Sequence, residues 1–436
     1  LREVRTAIGD NPVAPSDLAS GAAPPADPKA VPNGDREGRP AVFRNRSFLL
    51  LWLGQLVSQL GDRVHALALI WWVLEKTGSA ALMGTVLIVA TVPSVILGPF
   101  AGGYVDRWNR KAVIVGMDFA RGLIVVWIAV LAIRGALEIW QLLIGTAAMA
   151  IASVFFGPAV SATVPNLVRP SEITRANSLS QMVAQGTGIA GPALGGILVA
   201  VWGVGGVFLV NGLSFIASGV SELFIAIPPL ERGPVRRKHI VAELADGFSF
   251  VRNQPTVFGI LKTAAVLNFF TAPFAILLPI VARDYLGRGA EAFGFIMAAF
   301  SVGFLAASAV LAAVKDVRRK HPLIILGVSL AGGCLIAMGA SVTYTSYVAL
   351  MASIGVLLGL ANILIMSYFQ AVVPDALRGR VFGFMMTLSG GLQPLAFGVL
   401  GILTDLLTPP VIFVASGCAL VVGGLYLYRV PGMRKV

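Results

Sequence analysis

Gly102-Gly103-Tyr104-Val105-Asp106-Arg107-Trp108-Asn109-Arg110-Lys111 sets four charged residues within six positions, between two long apolar runs, about Ala81–Gly103 and Ala112–Ile133. Each run is long enough to cross a bilayer, whose hydrocarbon core of roughly 30 Å needs about 20 apolar residues per helix. A charged loop this short therefore joins two antiparallel crossings. Working outward from it, the same alternation recurs along the chain. Apolar runs fall at about Phe48–Leu74, Leu137–Ser161, Ala176–Val201, Gly205–Ile227, Thr256–Val281, Ala292–Val314, Pro322–Val342, Ser346–Gln370, Gly379–Leu403 and Pro410–Tyr428, which makes twelve predicted crossings. Only 12% of the 436 residues are charged and 57% are hydrophobic, about half the charge a soluble surface carries. The expected fold is an all-α membrane protein.

The formal net charge of +12 invites a nucleic-acid partner, but its placement excludes one. With the N-terminus in the cytoplasm, 26 of the 33 lysines and arginines fall in cytoplasmic segments, 4 in outer loops and 3 in helices. That skew is the positive-inside pattern. It places both termini in the cytoplasm and the protein in the inner membrane as a multi-pass protein; a monomer is expected. Residues 1–42 are rich in Pro, Ala, Gly and Asp, lack an apolar signal core and are expected to be disordered. Cys334 and Cys418 both fall inside predicted helices and read as small packing residues, not as a disulfide or metal set. No cofactor is expected.

The chain also repeats itself. Gly84 precedes Asp106 by 22 residues, and Gly294 precedes Asp316 by 22. Both aspartates open basic loops. Arg175 precedes Gly196 by 21 residues, and Arg380 precedes Gly401 by 21. These copies divide the chain into a six-helix half over 43–227, a charged cytoplasmic loop over 228–254, a second six-helix half over 255–430 and a cytoplasmic tail over 431–436. Duplicated halves imply a site at their interface, reached from each side in turn as the halves rock.

With the loop and the repeat in place, a family resemblance emerges. Gly102 to Lys111 resembles the Gly-x-x-x-Asp-Arg-x-Gly-Arg-Lys signature of the major facilitator superfamily, with Asn109 at the usual Gly; Asn is the next residue most tolerant of positive φ. The second copy is degraded, with Ala312 and Val317 at its Gly and Arg positions. Gly191-Pro192-Ala193-Leu194-Gly195-Gly196 resembles the Gly-Pro-x-x-Gly-Gly element of the superfamily's antiporters. Gly61-Asp62, Thr77-Gly78-Ser79, Asp118 with Arg121, Arg175 to Leu179 and Asp375 to Phe382 narrow the likeness to the third drug:proton antiporter family, which contains macrolide, tetracycline and siderophore exporters. The resemblance implies a twelve-helix fold and efflux of small amphipathic compounds against protons. It also implies a cytoplasmic gate in which Gly102 lets helix 2 approach a neighbour, Asp106 faces the start of helix 11, and Arg107 and Arg110 balance the charge. The antiporter element, Gly191, Pro192, Gly195 and Gly196, implies a kinked, closely packed helix 5.

Ionisable side chains near mid-bilayer are costly and so are functional candidates. In helix 1, Gln55, Ser58, Gln59, Asp62 and His65 share one face by their spacing. Asp62, His65, Asp118 and Glu222 are the candidate proton carriers, with Arg63 and Arg121 as charge partners. Arg63 is expected to pair with another helix. Gln55, Gln59, Asn211, Asn268, Asn362 and Gln393 are the candidate lining of a substrate cavity. Lys262 is expected to snorkel. No phosphate loop for ATP and no catalytic triad is present, so the protein is not expected to be an enzyme and its energy source is expected to be the proton gradient. Two alternatives keep the fold and change the cargo, a lysophospholipid flippase or a siderophore exporter; a third is a non-transporting membrane sensor.

Overall fold

The computed structural model describes residues 42–105, 107–227, 248–249, 251–272, 274–314, 317, 320–373 and 375–431. Asp106, Asp316, most of the central loop and most of the two terminal segments lie outside them. Val42, the last residue of the expected disordered segment, begins a short 3-10 turn, Val42–Arg44.

Twelve crossings follow. They are α1 (Arg46–Thr77), α2 (Ala80–Val105), α3 (Arg110–Ile133), α4 (Ile139–Leu167), α5 (173–202), α6 (204–223), α7 (Pro255–Tyr285), α8 (Ala290–Ala313), α9 (Lys320–Gly339), α10 (Tyr344–Val372), α11 (Asp375–Leu406) and α12 (Pro409–Leu427). Among the described residues, nine helical stretches are long and apolar enough to cross a membrane. One of these stretches, Pro170–Leu223, contains both α5 and α6, because Gly203 takes φ 68° and ψ 170° and breaks the helix without a loop. Glycine is the residue that reaches this backbone region without strain. α1 and α11 complete the twelve; each is 32 residues long and carries polar side chains along its length. α7 is the least regular crossing, ending in a π turn at Val281–Tyr285.

The helix ends are built by local chemistry. Asn45 caps α1 by accepting from the Phe48 amide at 3.1 Å, and Gly78 ends it in the left-handed region at φ 67°. Asn109 caps α3, its side chain accepting from the Ala112 amide at 3.2 Å. Its φ is −72°, so the expectation that Asn stands there for tolerance of positive φ is corrected: it stands there as a cap. Lys111 donates to the Leu223 carbonyl at 2.7 Å and so ties the end of α6 to the start of α3.

The duplication read from the repeat appears as packing. α3 lies on α6 as α9 lies on α12, and α2 lies on α4 as α8 lies on α10. The halves meet through two pseudo-equivalent pairs, α2 with α11 and α5 with α8. Burial follows the same division. One apolar core contains Leu69, Met83 and Phe208 from the first half together with Phe274, Phe293 and Phe397 from the second. It lies toward the face where α1 ends and α2 begins, the predicted outer face. At the opposite face the described residues form two separate clusters: Phe48, Ile114, Phe156 and Leu167 in the first half, and Ile260, Ile324, Phe369 and Leu427 in the second.

Candidate functional site

Three carboxyl groups and one guanidinium gather inside the first half. Asp118 and Arg121 sit three residues apart on α3 and pair directly. Arg121 also reaches Asp62 of α1 at 4.0 Å. Its guanidinium is held between Phe156 of α4, at 4.0 Å from the ring centre, and Phe215 of α6, at 4.4 Å. Such a cation–π sandwich fixes the group while leaving its hydrogen-bond donors for the acids. On α6, Ser218 donates to Glu222 at 3.4 Å, and Glu222 also interacts with Asp118. Asp118, Arg121 and Glu222 are buried, whereas the Asp62 side chain is 39% exposed. The cluster is therefore least enclosed at Asp62 and runs from α1 through α3 to α6. Among the described residues, one oxygen of Asp118, one of Glu222 and the Arg121 Nε find no partner. Small residues make the approach possible: a β-carbon on Gly122 would meet Ile216, and one on Gly219 would meet Phe119 and Asp118.

The helix 1 stripe divides. Gln55 and Gln59 are half-buried and bonded to each other at 3.2 Å. Ser58 and His65 turn into the α1–α6 packing, where the His65 ring lies 4.6 Å from Phe208. Asn211, expected in the substrate cavity, is fully buried against Gly61 and beside Asp62; it is part of the charge cluster's shell. The expected partner for Arg63 is also absent. That side chain is exposed, packs its stem on Gly191 and forms no ion pair among the described residues.

A cavity of about 280 Å³ opens between α1, α4 and α5 toward the split-core face. That is near the lower end of small-ligand pockets. Phe48, Trp52 and Val160 give it apolar walls, and Gln55, Gln59, Ser161, Asn177, Ser180 and Gln181 give it amides and hydroxyls; no lining residue is charged. The Gln55 amide nitrogen is buried without a partner among the described residues. Of the six residues expected to line the cavity, Gln55 and Gln59 do so. Asn268 donates to the carbonyl of Ala264 on its own helix, and Asn362 and Gln393 are exposed away from this cavity. The α5 contribution was missed, although Asn177, Ser180 and Gln181 recur at helical spacing as a small polar stripe.

At the outer face, the repeated glycines form the contacts between halves. A β-carbon on Gly84 would strike the Phe397 carbonyl of α11, and one on Gly401 would meet the Ala80 carbonyl at 3.0 Å. In the pseudo-equivalent pair, a β-carbon on Gly196 would stand 2.5 Å from the Ala290 carbonyl, and one on Gly294 would strike the Pro192 carbonyl. Gly195 and Gly191 pack on Val64 and Arg63 of α1. The antiporter element thus joins α5 to both α1 and α8.

These features have parallels among known proteins. The family model for transmembrane secretion effectors matches residues 38–435. The macrolide efflux protein A of Streptococcus pyogenes is 22% identical over 89% of this chain and 97% of its own. The multidrug efflux pump Tap of Mycobacterium tuberculosis is 27% identical over 90% of this chain and 95% of its own. The chain belongs to the major facilitator superfamily. The fold agrees: a solved nucleoside transporter superposes with a TM-score of 0.71 at 11% identity, covering 88% of this chain and all of that one. A bacterial homologue of the iron transporter ferroportin in an inward-facing state superposes with a TM-score of 0.65 at 17% identity, covering 89% of this chain and 99% of that one. As a major facilitator protein this chain is a multi-pass membrane transporter, not an enzyme.

The facilitator loop signature is positioned differently from the expectation in one respect. Among the described residues nothing lies within 4 Å of a β-carbon built on Gly102. Arg110 donates to the Ala162 carbonyl of α4 at 2.9 Å, Arg107 is exposed, and Trp108 stacks on Tyr104 and Phe155 at 5.7 and 5.6 Å. The loop is fastened to its own half, at the face opposite the core that the two halves share. Lys262 is exposed and rests over the Phe258 ring at 4.4 Å. Cys334 is half-buried, and Cys418 is exposed on α12 rather than packed.

Proposed function

We propose that this protein exports small amphipathic compounds across the inner membrane in exchange for protons, by alternating access, with both termini in the cytoplasm. The observation that carries the reading is the distribution of buried cores: one shared by both halves at the outer face, two separate at the other. Interfaces of packed side chains are bistable rather than continuously deformable, so the complementary state joins the inner cores and parts the outer one.

The uncharged cavity near the split face receives the substrate. Its amides and hydroxyls orient the polar end of an amphiphile, and Phe48, Trp52 and Val160 hold the apolar body. The charge cluster does the coupling. Asp62 exchanges protons with water at the surface, and Arg121 transfers its attention between Asp62 and Asp118 as Asp62 gains or loses charge. Glu222 supplies a third carboxyl within the same network. The cluster's net charge then depends on how many protons it holds, and moving it between environments has a cost that depends on that charge.

The relatives' names make a macrolide the first substrate to try. In cells with ATP maintained, the reading expects protein-dependent macrolide efflux that a protonophore abolishes. Efflux that continues under the protonophore would remove proton coupling. Absence of efflux for a panel of neutral and cationic amphiphiles, in reconstituted vesicles bearing a gradient, would return the protein to the sensor alternative.

A further inference from the structure

The two seals between the halves are not equivalent: the α2–α11 seal carries a carboxylate at its outer end that the α5–α8 seal lacks. Asp405, on the last turn of α11, reaches across to the first turn of α2. One carboxylate oxygen accepts from the Ala80 amide at 2.7 Å. The other accepts from the Ala81 amide at 3.1 Å and from the Ser79 hydroxyl at 3.0 Å. The contact joins residues 324 to 326 positions apart in sequence and crosses from one half to the other. Its pseudo-equivalent has no such group. Asp405 lies four residues after Gly401, and four residues after Gly196 stands Ala200. There, at the start of α8, Glu291 instead turns back to the amide of Gly289 at 3.2 Å.

The α2 terminus does not need Asp405 in order to be a helix. Ser79 already caps it, accepting from the Leu82 amide at 3.3 Å. Asp405 takes the next two free amides, where a helix N-terminus favours an anion. Both sit at the point where Gly84 and Gly401 bring α2 and α11 into backbone contact. When the halves part at this face, the bonds to Ser79, Ala80 and Ala81 break together.

We infer that Asp405 is the outer latch of the transport cycle: a carboxylate bolt on α11 that holds the α2 N-terminus and stabilises the outer-closed state against the outer-open one. This rests on the reading that the halves alternate, but its test does not require transport. Spin labels at Lys76→Cys and Leu406→Cys, both exposed in this state, report the outer gap in a background lacking Cys334 and Cys418. Asp405→Ala should enlarge the long-distance population about two- to fivefold, in line with loss of a helix-terminus anion. Asp405→Asn, which keeps an acceptor oxygen and loses the charge, should fall between it and wild type. Ser79→Asp keeps a good cap for α2 but sets a second carboxylate against the first, and should open the outer face even if Asp405→Ala folds poorly. A folded Asp405→Ala or Ser79→Asp protein whose distance distribution matches wild type would overturn the latch. If the labels show a shift while no substrate is moved, the latch stands and the transport reading fails.

Discussion

Asp62 stands 4.0 Å from Arg121, and the side chain of Asp62 is the exposed end of an otherwise buried set of charges. That position separates two roles by substitution. Asp62→Asn preserves shape and hydrogen bonding but cannot release a proton. As the coupling site, it should leave substrate binding and exchange intact while uphill export and substrate-induced proton movement are lost together. As a structural partner of Arg121, it should instead lower stability, by less than the roughly 3–5 kcal/mol that breaking a fully buried pair costs, because Asp62 is part-exposed. A thermal-shift assay beside a counterflow assay distinguishes the two, and a stable Asn variant that still pumps uphill refutes both. Asp118→Asn should be the more damaging change to the fold, since Asp118 is fully buried and bonded directly to Arg121. At this scale the sequence was partly legible. Spacing along α3 exposed the Asp118–Arg121 pair, because neighbours on one helix are local. It did not reveal that Arg121, not Arg63, serves Asp62, or that Asn211 packs on Gly61, because those contacts join different helices.

Among the elements, the glycines are the informative residues. Gly84, Gly196, Gly294 and Gly401 marked the internal repeat by position alone, and all four lie at the seals between halves. A repeat exposes them because both copies face the same steric demand: two backbones at closer range than any β-carbon permits. Gly84→Ala should therefore weaken the outer-closed state, since its β-carbon would meet the Phe397 carbonyl. The cost expected of overpacking is about 1–3 kcal/mol, read as a larger outer-open population in the label experiment. Gly102→Ala is the contrasting case. In this state its β-carbon enters open space, so the outer-closed population should stay or grow. Any penalty should appear only in the state where the inner ends meet. Equal effects of the two substitutions would show that neither glycine is specific to one state. The α5–α6 boundary was legible as a gap between apolar runs, yet no loop exists there: one glycine turns the chain. The Asp405 contact was not legible, because an aspartate at the end of a helix has no sequence partner to announce it.

For the whole molecule, hydrophobic run length and basic-residue placement were enough to give the fold, since a bilayer constrains length and every backbone group must be satisfied internally. They say nothing about which face is closed. That follows from three cores instead of one, and it makes rocking measurable at both ends at once. Ser178 near the inner end of α5 and Ala313 at the inner end of α8 are both exposed, on the same helix pair whose outer ends meet at Gly196 and Gly294. Labels at Ser178→Cys and Ala313→Cys should report a wide gap when the outer labels at Lys76→Cys and Leu406→Cys report a narrow one. If the halves move as rigid bodies, conditions that shorten the first distance must lengthen the second, with the two populations changing in equal proportion. Lowering the pH should shift both together if the Asp62 cluster sets the equilibrium, and the Asp62→Asn variant should lose that pH response while keeping the anticorrelation. Adding a transported amphiphile can move the balance only by as much as its affinities for the two states differ, about tenfold for each 1.4 kcal/mol. Inner and outer gaps that vary independently would rule out rigid halves, and would place the motion inside the halves, where the turn at Gly203 in the first and the π turn of α7 in the second offer the places to bend.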